Sequence, residues 1–323
     1  MKKDRISVII PVYYNRESLE ELHNRLSSLF EPDSTAEIEM VFVDDGSGDD
    51  SFEVINSLAA KDNRITAVKL SRNFGSFVAC LAGLTACSGA CAVIISADLQ
   101  DPPEMISEMY KKWKEGNKVV MAVRANRREN FLKVFCARIF YKLFRLLITK
   151  DMPKGGFDFV LIDRQVIDVL ASIQEKNTTL MGLILWIGFK RAEVLYTRGE
   201  RKHGRSRWTF HKKINYFLDS IMAFSKFPIR IFSLIGIFLS GTSLLGICYV
   251  LIAYSMGWIK GVAGWPSLMV VNLFMFGILF LGLGIMGEYV WRNLEETRKR
   301  PLYLIDKCHK SAFSKDSASS HNE

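Results

Sequence analysis

Two uncharged stretches late in the chain set the first constraint on its fold. Residues 231–254 run for 24 positions, and residues 261–287 for 27, without an Asp, Glu, Lys or Arg. Each exceeds the roughly 20 residues that carry a helix across a hydrocarbon core of about 30 Å. A buried helix of a water-exposed domain is the competing reading of one such run, but two in tandem favour membrane spans. Lys212, Lys213, Lys226 and Arg230 precede the first run, Arg292, Arg298, Lys299 and Arg300 follow the second, and Lys260 is the one cation between them. The positive-inside bias then predicts both outer flanks in the cytoplasm and the short loop outside. Tyr254, Trp258, Trp265, Tyr289 and Trp291 fall near the expected interfaces.

Position also decides what the net charge of +9 means. A basic balance suits nucleic acid or an anionic bilayer face equally. Here Lys and Arg crowd residues 124–150, residues 198–213 and the tail after Arg292, two of them next to the apolar runs, which favours lipid over nucleic acid. A chain of 323 residues has room for one large α/β domain ahead of the spans. Cys80, Cys87, Cys91, Cys136, Cys248 and Cys308 form no C-x-x-C pair, so free thiols are expected rather than a zinc site or a disulfide framework. Residues 1–5 run into a strand without an apolar leader core, and the N-terminal domain is expected to stay in the cytoplasm.

Ahead of the spans, short β-branched runs alternate with amphipathic segments. Residues 6–12 (ISVIIPV) predict a fully buried strand, and residues 18–30 place Leu19, Leu22, Leu26 and Leu29 on one helical face. Strands at 38–43, 66–70, 92–95 and 119–123 and helices at 52–60 and 75–85 continue the alternation. That spacing predicts an α/β fold with a Rossmann-like, mostly parallel sheet covered on both faces. Ligands of such sheets sit at the carboxyl ends of the strands, where two acidic turns fall. Residues 131–149 mix Lys133, Arg138, Lys142 and Arg145 with aromatic and aliphatic side chains. This suits a helix lying in a membrane interface and equally one packed on the domain. Residues 209–227 are a second such segment and lead into the first span. Residues 310–323 are polar and Ser-rich, and disorder is expected there.

The first acidic turn, residues 43–51 (VDDGSGDDS), lets Asp44 and Asp45 accept hydrogen bonds, although plain turn chemistry explains such a cluster as well. The second, residues 96–104 (SADLQDPPE), offers oxygen ligands of the kind Mg²⁺ and Mn²⁺ take, with Asp98 and either Gln100 or Asp101 as the natural site. Asp101 before Pro102 and Pro103, with Glu104 following, also has the pattern of a helix start, and both roles are expected of it. Asp163, just before Arg164, is expected to cap a helix. Arg124, Arg127 and Arg128, and Arg198, Arg201 and Lys202 with Gly204, Ser206 and Trp208, are candidates to grip phosphate. Arg201, Ser206 and Arg124 lead, and residues 197–208 are expected to form a loop that closes over a ligand.

Taken in order, IIPVYYNRESLEEL, VDDGSGDDS, LSRNFG, SADLQDPPE, GGFDFVLIDR and RKHGRSRW, followed by two spans, resemble the family 2 glycosyltransferases that load polyprenyl phosphates. Bacterial bactoprenol glucosyltransferases are the near relatives by this likeness, and dolichol-phosphate mannose synthases the distant ones. The likeness runs from Ile6 to about Pro301. It implies a GT-A fold over residues 1–208, a juxtamembrane helix at 209–230, a transmembrane hairpin at 231–291 and a cytoplasmic tail at 292–323, in the inner membrane of a bacterium. It implies a nucleotide held by Pro11, Tyr13, Glu17 and Asp44, with Asp45 and Ser96 beside them. The D-x-D metal motif of the family falls on Ser96, Ala97 and Asp98, with Gln100 as a further ligand, so Ser96 stands where the first carboxylate would be. Asp158 matches the catalytic aspartate. Because a phosphate monoester is already largely ionised near neutrality, Asp158 is expected to orient the acceptor as much as to take a proton.

The implied reaction is an inverting displacement from UDP-glucose, or from UDP-N-acetylglucosamine in second place, to polyprenyl phosphate with Mg²⁺ or Mn²⁺. A silent membrane scaffold or lipid-translocation partner is the reading from another class, motivated by Ser96 and opposed by Asp98, Gln100 and Asp158. A processive polysaccharide synthase would carry Q-x-x-R-W, whereas Gly204 stands where that glutamine would be. A nicotinamide dehydrogenase would carry G-x-G-x-x-G after the first strand, which is missing. Oligomeric state is open, a homo-oligomer included.

Overall fold

A computed structural model describes residues 3–29, 36–125, 131–153, 155–199, 210–258 and 264–313. It divides into two units, Met1–Phe217 with Pro301–Glu323, and Leu218–Arg300. In the first unit, β1 (Asp4–Val12), α1 (Arg16–Ser27), β2 (Ala36–Asp44), α2 (Ser51–Lys61), β3 (Ile65–Leu70), α3 (Ser76–Ala86) and β4 (Cys91–Ile94) alternate as the sequence pattern predicts. Next come α4 (Met105–Lys114), β5 (Val119–Arg124), α5 (Phe131–Leu147), β6 (Phe159–Asp163), α6 (Arg164–Ser172), α7 (Leu180–Ile187) and β7 (Arg191–Tyr196). The helix α8 (Phe210–Phe224) leads into the second unit, which holds α9 (Phe227–Ser255) and α10 (Trp265–Thr297). The chain then returns to the first unit as β8 (Ile305–His309).

The eight strands form one sheet in the order β7-β5-β6-β4-β1-β2-β3-β8. β1 pairs in parallel with both β2 and β4, β2 with β3, and β5 with β7, while β6 and β8 run against their neighbours. The mostly parallel α/β sheet expected from the sequence is therefore present, with two reversed strands. The central strands are apolar on both faces because helices cover both: Ile6, Val8, Ile9, Ile10 and Val12 of β1 are completely buried. Each such side chain contributes about 1.5–3 kcal/mol of transfer free energy. The leucines of α1 fall as their spacing requires, with Leu19, Leu22 and Leu26 fully buried.

Two consequences of this topology position the site. The parallel run reverses its order at β1, so the switch point of the sheet, whose crevice is the place where such sheets take ligands, lies between the carboxyl ends of β1 and β4. Because β6 runs the other way, its first residues lie at that same end of the sheet, and Asp158 immediately precedes β6.

β8 carries no apolar alternation, and all five of its residues are exposed; the sequence reading assigned no strand there. Its ladder to β3 is nevertheless anchored at both ends. Ser71 donates its amide to the Leu304 carbonyl at 2.9 Å, Ser311 to the Thr66 hydroxyl at 3.1 Å, and Ala312 to the Asn63 carbonyl at 3.0 Å.

Within the second unit, 20 residues of α9 (Phe227–Gly246) and 27 of α10 (Val271–Thr297) are long and apolar enough to cross a membrane. Leu234, Ile237, Leu245, Phe274 and Leu281 face outward along them. An apolar surface of that extent is found where a protein meets lipid or another protein. The Phe232 ring of α9 lies on Gly282 of α10, where a Cβ would overlap it. Small residues let membrane helices approach in this way.

Candidate active site

The turn after β4 forms one wall of the crevice. The Ile95 amide still donates to the Ile9 carbonyl at 3.1 Å, after which residues 96–101 leave the sheet. Ser18 of α1 holds the turn by donating its hydroxyl to the Ala97 carbonyl at 2.6 Å. Leu99 adopts a left-handed backbone, φ 60°, which folds the turn back so that the Gln100 amide donates to Asp98 Oδ1 at 3.2 Å. Asp98 is buried, while Ser96 and Gln100 are half-buried.

Asp101 departs from one part of its expectation. Helix α4 begins at Met105, and its first amides reach the Pro102 and Pro103 carbonyls at 3.1 and 3.0 Å. The two prolines thus occupy a turn ahead of the helix, and Asp101 caps nothing. Its side chain is buried and accepts a hydrogen bond from the Tyr196 hydroxyl at 2.6 Å. Glu104, expected in the first helical turn, stands at the cap position and pairs with Arg25 at 2.7 Å. Asp163 does cap α6, accepting from the Gln165 amide at 3.1 Å.

Burial raises the Asp101 carboxyl above its ordinary range, against the pull of Arg198 and of the Tyr196 hydrogen bond. The Arg198 guanidinium lies 3.4 Å from Asp101 and 3.9 Å from Asp98. Just beyond it, the Gly199 amide donates to the Gln100 carbonyl at 2.8 Å, and Gln100 Nε2 donates to the Gly199 carbonyl at 3.2 Å. The segment after β7 is thereby stapled to the turn that carries Asp98.

The opposite wall comes from the ends of β1 and β2. Pro11 and Val12 pair with Val43 and Asp44, and Tyr13 follows half-buried. Tyr14 has a left-handed backbone, φ 58°, and its amide donates to the Ser47 hydroxyl at 3.0 Å. Glu17 is exposed in the first turn of α1. Asp44 is fully buried, with Ser47 above it. Asp45 gives both oxygens to backbone amides, of Phe74 at 2.7 Å and Gly75 at 2.9 Å, so it holds the 71–75 loop. Burial outweighs those two hydrogen bonds and pushes its pKa up to about 6. Gly46, at φ +67°, lets the turn pass the 72–73 peptide, where a Cβ would lie 2.5 Å from the Arg72 carbonyl carbon.

At the β5–β6 side of the crevice, Arg124 donates to Asp158 at 2.5 Å. The guanidinium is 11 % exposed and the carboxylate 55 %, so the pair shows its acidic partner to solvent. Burial works against the charge on Arg124, but Asp158 and a hydrogen bond to the Tyr196 hydroxyl outweigh it and raise its pKa. The 155–156 turn sets this pair. Gly156 has φ +65° and lies against the Tyr141 ring of α5, leaving no room for a Cβ.

The structure therefore brings Asp98, Gln100, Asp101, Arg198, Arg124 and Asp158 to one end of the sheet, with Pro11, Tyr13 and Asp44 at the same end. Arg127, Arg128, Arg201, Lys202 and Ser206 lie outside the described residues. Tyr196 and Ser18 were not singled out from the sequence. Tyr196 could have been, because Val194 and Tyr196 are the inward-facing positions of an alternating strand that ends at the site. Among the described residues no three His, Cys, Asp or Glu side chains cluster as a metal cage. One carboxylate with an amide and a hydroxyl fits Mg²⁺ or Mn²⁺ as an oxygen-ligated ion that completes its shell with substrate phosphates.

Sheet and crevice together define an α/β enzyme of the GT-A type. Residues 7–170 match the family model described as glycosyl transferase family 2. The chain is 39 % identical over 94 % of its length to the glycosyltransferase YkcC of Bacillus subtilis, covering 94 % of that protein. It is 34 % identical over 95 % of its length to the SfII prophage-derived bactoprenol glucosyl transferase of Shigella flexneri, covering 99 % of it. A prophage bactoprenol glucosyl transferase homolog of Escherichia coli is 35 % identical, with 95 % of this chain and 100 % of that one covered. The chain belongs to glycosyl transferase family 2 and is a glycosyltransferase.

Proposed function

We propose that this glycosyltransferase moves a sugar, glucose first, from a UDP-sugar to polyprenyl phosphate at a membrane surface. The observation that carries the reading is similarity over nearly the whole chain to bactoprenol glucosyl transferases, through the sheet and both apolar helices alike. In the step, an oxygen of the lipid phosphate attacks the anomeric carbon as the bond from that carbon to the UDP oxygen breaks. The bonding pair leaves with UDP, and the configuration inverts.

Two anions must approach for this to happen. Each unit pair a few ångströms apart costs about 4 kcal/mol at an effective dielectric of 20. Asp98 and Gln100, with Ser96 beside them, would hold Mg²⁺ or Mn²⁺. When bound, such an ion neutralises charge on the departing diphosphate. Arg198, next to Asp98, is placed to move onto that diphosphate, and Arg127, Arg128, Arg201, Lys202 and Ser206 are further phosphate contacts in this reading. Arg124 receives the lipid phosphate, and Asp158 fixes the Arg124 fork and takes any residual proton. Pro11, Tyr13, Glu17, Asp44 and Asp45 line the side of the crevice assigned to uridine.

The domain boundaries follow the same reading: a catalytic domain on the cytoplasmic face, a helical hairpin through the bilayer, and α5 and α8 at the interface. The test is a donor panel of UDP- and GDP-sugars with purified protein, a short polyprenyl phosphate and Mg²⁺ or Mn²⁺. Transfer from UDP-glucose that falls at least 100-fold in Asp158→Asn is expected. Full turnover by Asp158→Asn, or transfer from no donor, would sink the assignment.

A further inference from the structure

We infer that Tyr196 is a positioning residue that couples the donor half of this site to its acceptor half. The inference rests on the function proposed above and concerns a residue which that function does not use. Tyr196 is the last residue of β7 and pairs in register with Arg124, the last of β5. The Ala125 amide, one residue on, donates to the Tyr196 carbonyl at 2.9 Å, so the two strand ends are locked together. The phenol is buried, with its ring packed edge-on against Phe159 at 6.0 Å.

Its hydroxyl has two partners of different kinds. It donates to Asp101 Oδ1 at 2.6 Å, and it stands beside Arg124, the register partner of Tyr196 on β5, whose charge it helps to hold. Arg124 in turn donates to Asp158 at 2.5 Å. One chain of polar contacts and strand pairing therefore runs from the turn that carries Asp98, through a single tyrosine, to the aspartate at the acceptor position.

Polarity makes the link directional. Asp101 accepts the phenol's hydrogen bond, which leaves the oxygen lone pairs to face Arg124 and favours a guanidinium position that reaches Asp158. Among the described residues this is the one hydrogen bond to the Asp101 side chain, whose Oδ2 is buried without a partner. Buried polar groups bonded in series reinforce one another, and removing one member is felt at the next. A shift of the 98–101 turn on donor binding is thus carried to Arg124, and a change at Arg124 is carried back.

The experiment is a double-mutant cycle on binding of UDP with Mn²⁺, measured by calorimetry on the full detergent-solubilised chain. Arg124 belongs to the acceptor half, and the cycle separates an effect on UDP carried by the link from the direct field of its charge, which Tyr196→Phe leaves in place. Arg124→Gln is expected to weaken UDP·Mn²⁺ about 3- to 10-fold, and Tyr196→Phe about 10-fold, as substitutions beside metal-binding groups do. The double variant is expected to bind like Tyr196→Phe alone, because the link is already broken. Multiplicative losses would overturn the inference, since a merely structural tyrosine acts independently of Arg124. Unchanged affinity in Tyr196→Phe would overturn it too. So would a loss that tracks a lowered unfolding temperature. If the unsubstituted chain binds no UDP·Mn²⁺, the functional reading falls first and the coupling falls with it.

Discussion

Asp45 shows how much one side chain of the crevice costs and what it does. Its carboxyl is almost wholly buried and serves two amides of the 71–75 loop, yet burial holds its pKa near 6. The unfolded chain releases this proton near 3.8, whereas the native state keeps it until about pH 6. Between those values the native state binds more protons, so Asp45 makes stability fall as pH rises from about 4 to about 6, by roughly 3 kcal/mol in all. Asp45→Asn should flatten that part of the curve of unfolding temperature against pH; an unaltered slope would assign the titration to another group. The identity of such residues was legible in VDDGSGDDS, but the division of labour was not. Two adjacent aspartates look alike in sequence, and only the path of the 71–75 loop shows that Asp45 spends both oxygens on backbone. Asp101 is the parallel case at the second turn. A carboxylate before two prolines has the pattern of a cap, and the buried Tyr196 hydroxyl, 95 positions away, took it instead.

Among elements, β8 adds most to what the pattern could tell. The alternation of buried strands and amphipathic helices from β1 to β5 was readable because both faces of those strands are covered, which leaves continuous apolar runs. β8 is an edge strand whose side chains all face solvent, so its sequence, IDKCH, carries no such signature and only its backbone ladder to β3 defines it. Glu39, fully buried in β2, helps to seat the segment that follows: its carboxylate accepts from Ser7 at 2.5 Å, from the Ser88 amide at 2.9 Å and from Ser311 at 3.4 Å. Connectivity then constrains topology. If α9 and α10 cross a bilayer as proposed, a strand that rejoins the sheet after them requires an even number of crossings, as the proposed hairpin has. The exposed Cys308 thiol in β8 should therefore react with an impermeant maleimide in inverted vesicles and stay unlabelled in right-side-out ones, with Cys308→Ser as control. Labelling from the outer face would exclude the cytoplasmic placement of the sheet.

For the molecule as a whole, the sheet supplies a fixed frame while the chemistry depends on charges gathered from distant parts of the chain. Asp98 comes from the end of β4, Arg124 from β5, Asp158 from the start of a reversed strand and Arg198 from beyond β7. Motifs announce the first and third of these, and topology assembles all four. The replacement of a carboxylate by Ser96 concentrates the question on one ion: a single buried aspartate with oxygen donors beside it is enough only if the substrate's own phosphates complete the shell. The decisive measurement is product formation from UDP-glucose and polyprenyl phosphate by protein stripped of metal with a chelator. Glycolipid synthesis should fall to background and return on addition of Mn²⁺ or Mg²⁺, and Asp98→Asn should blunt that recovery. Synthesis at the full rate in chelated, metal-free solution would contradict it.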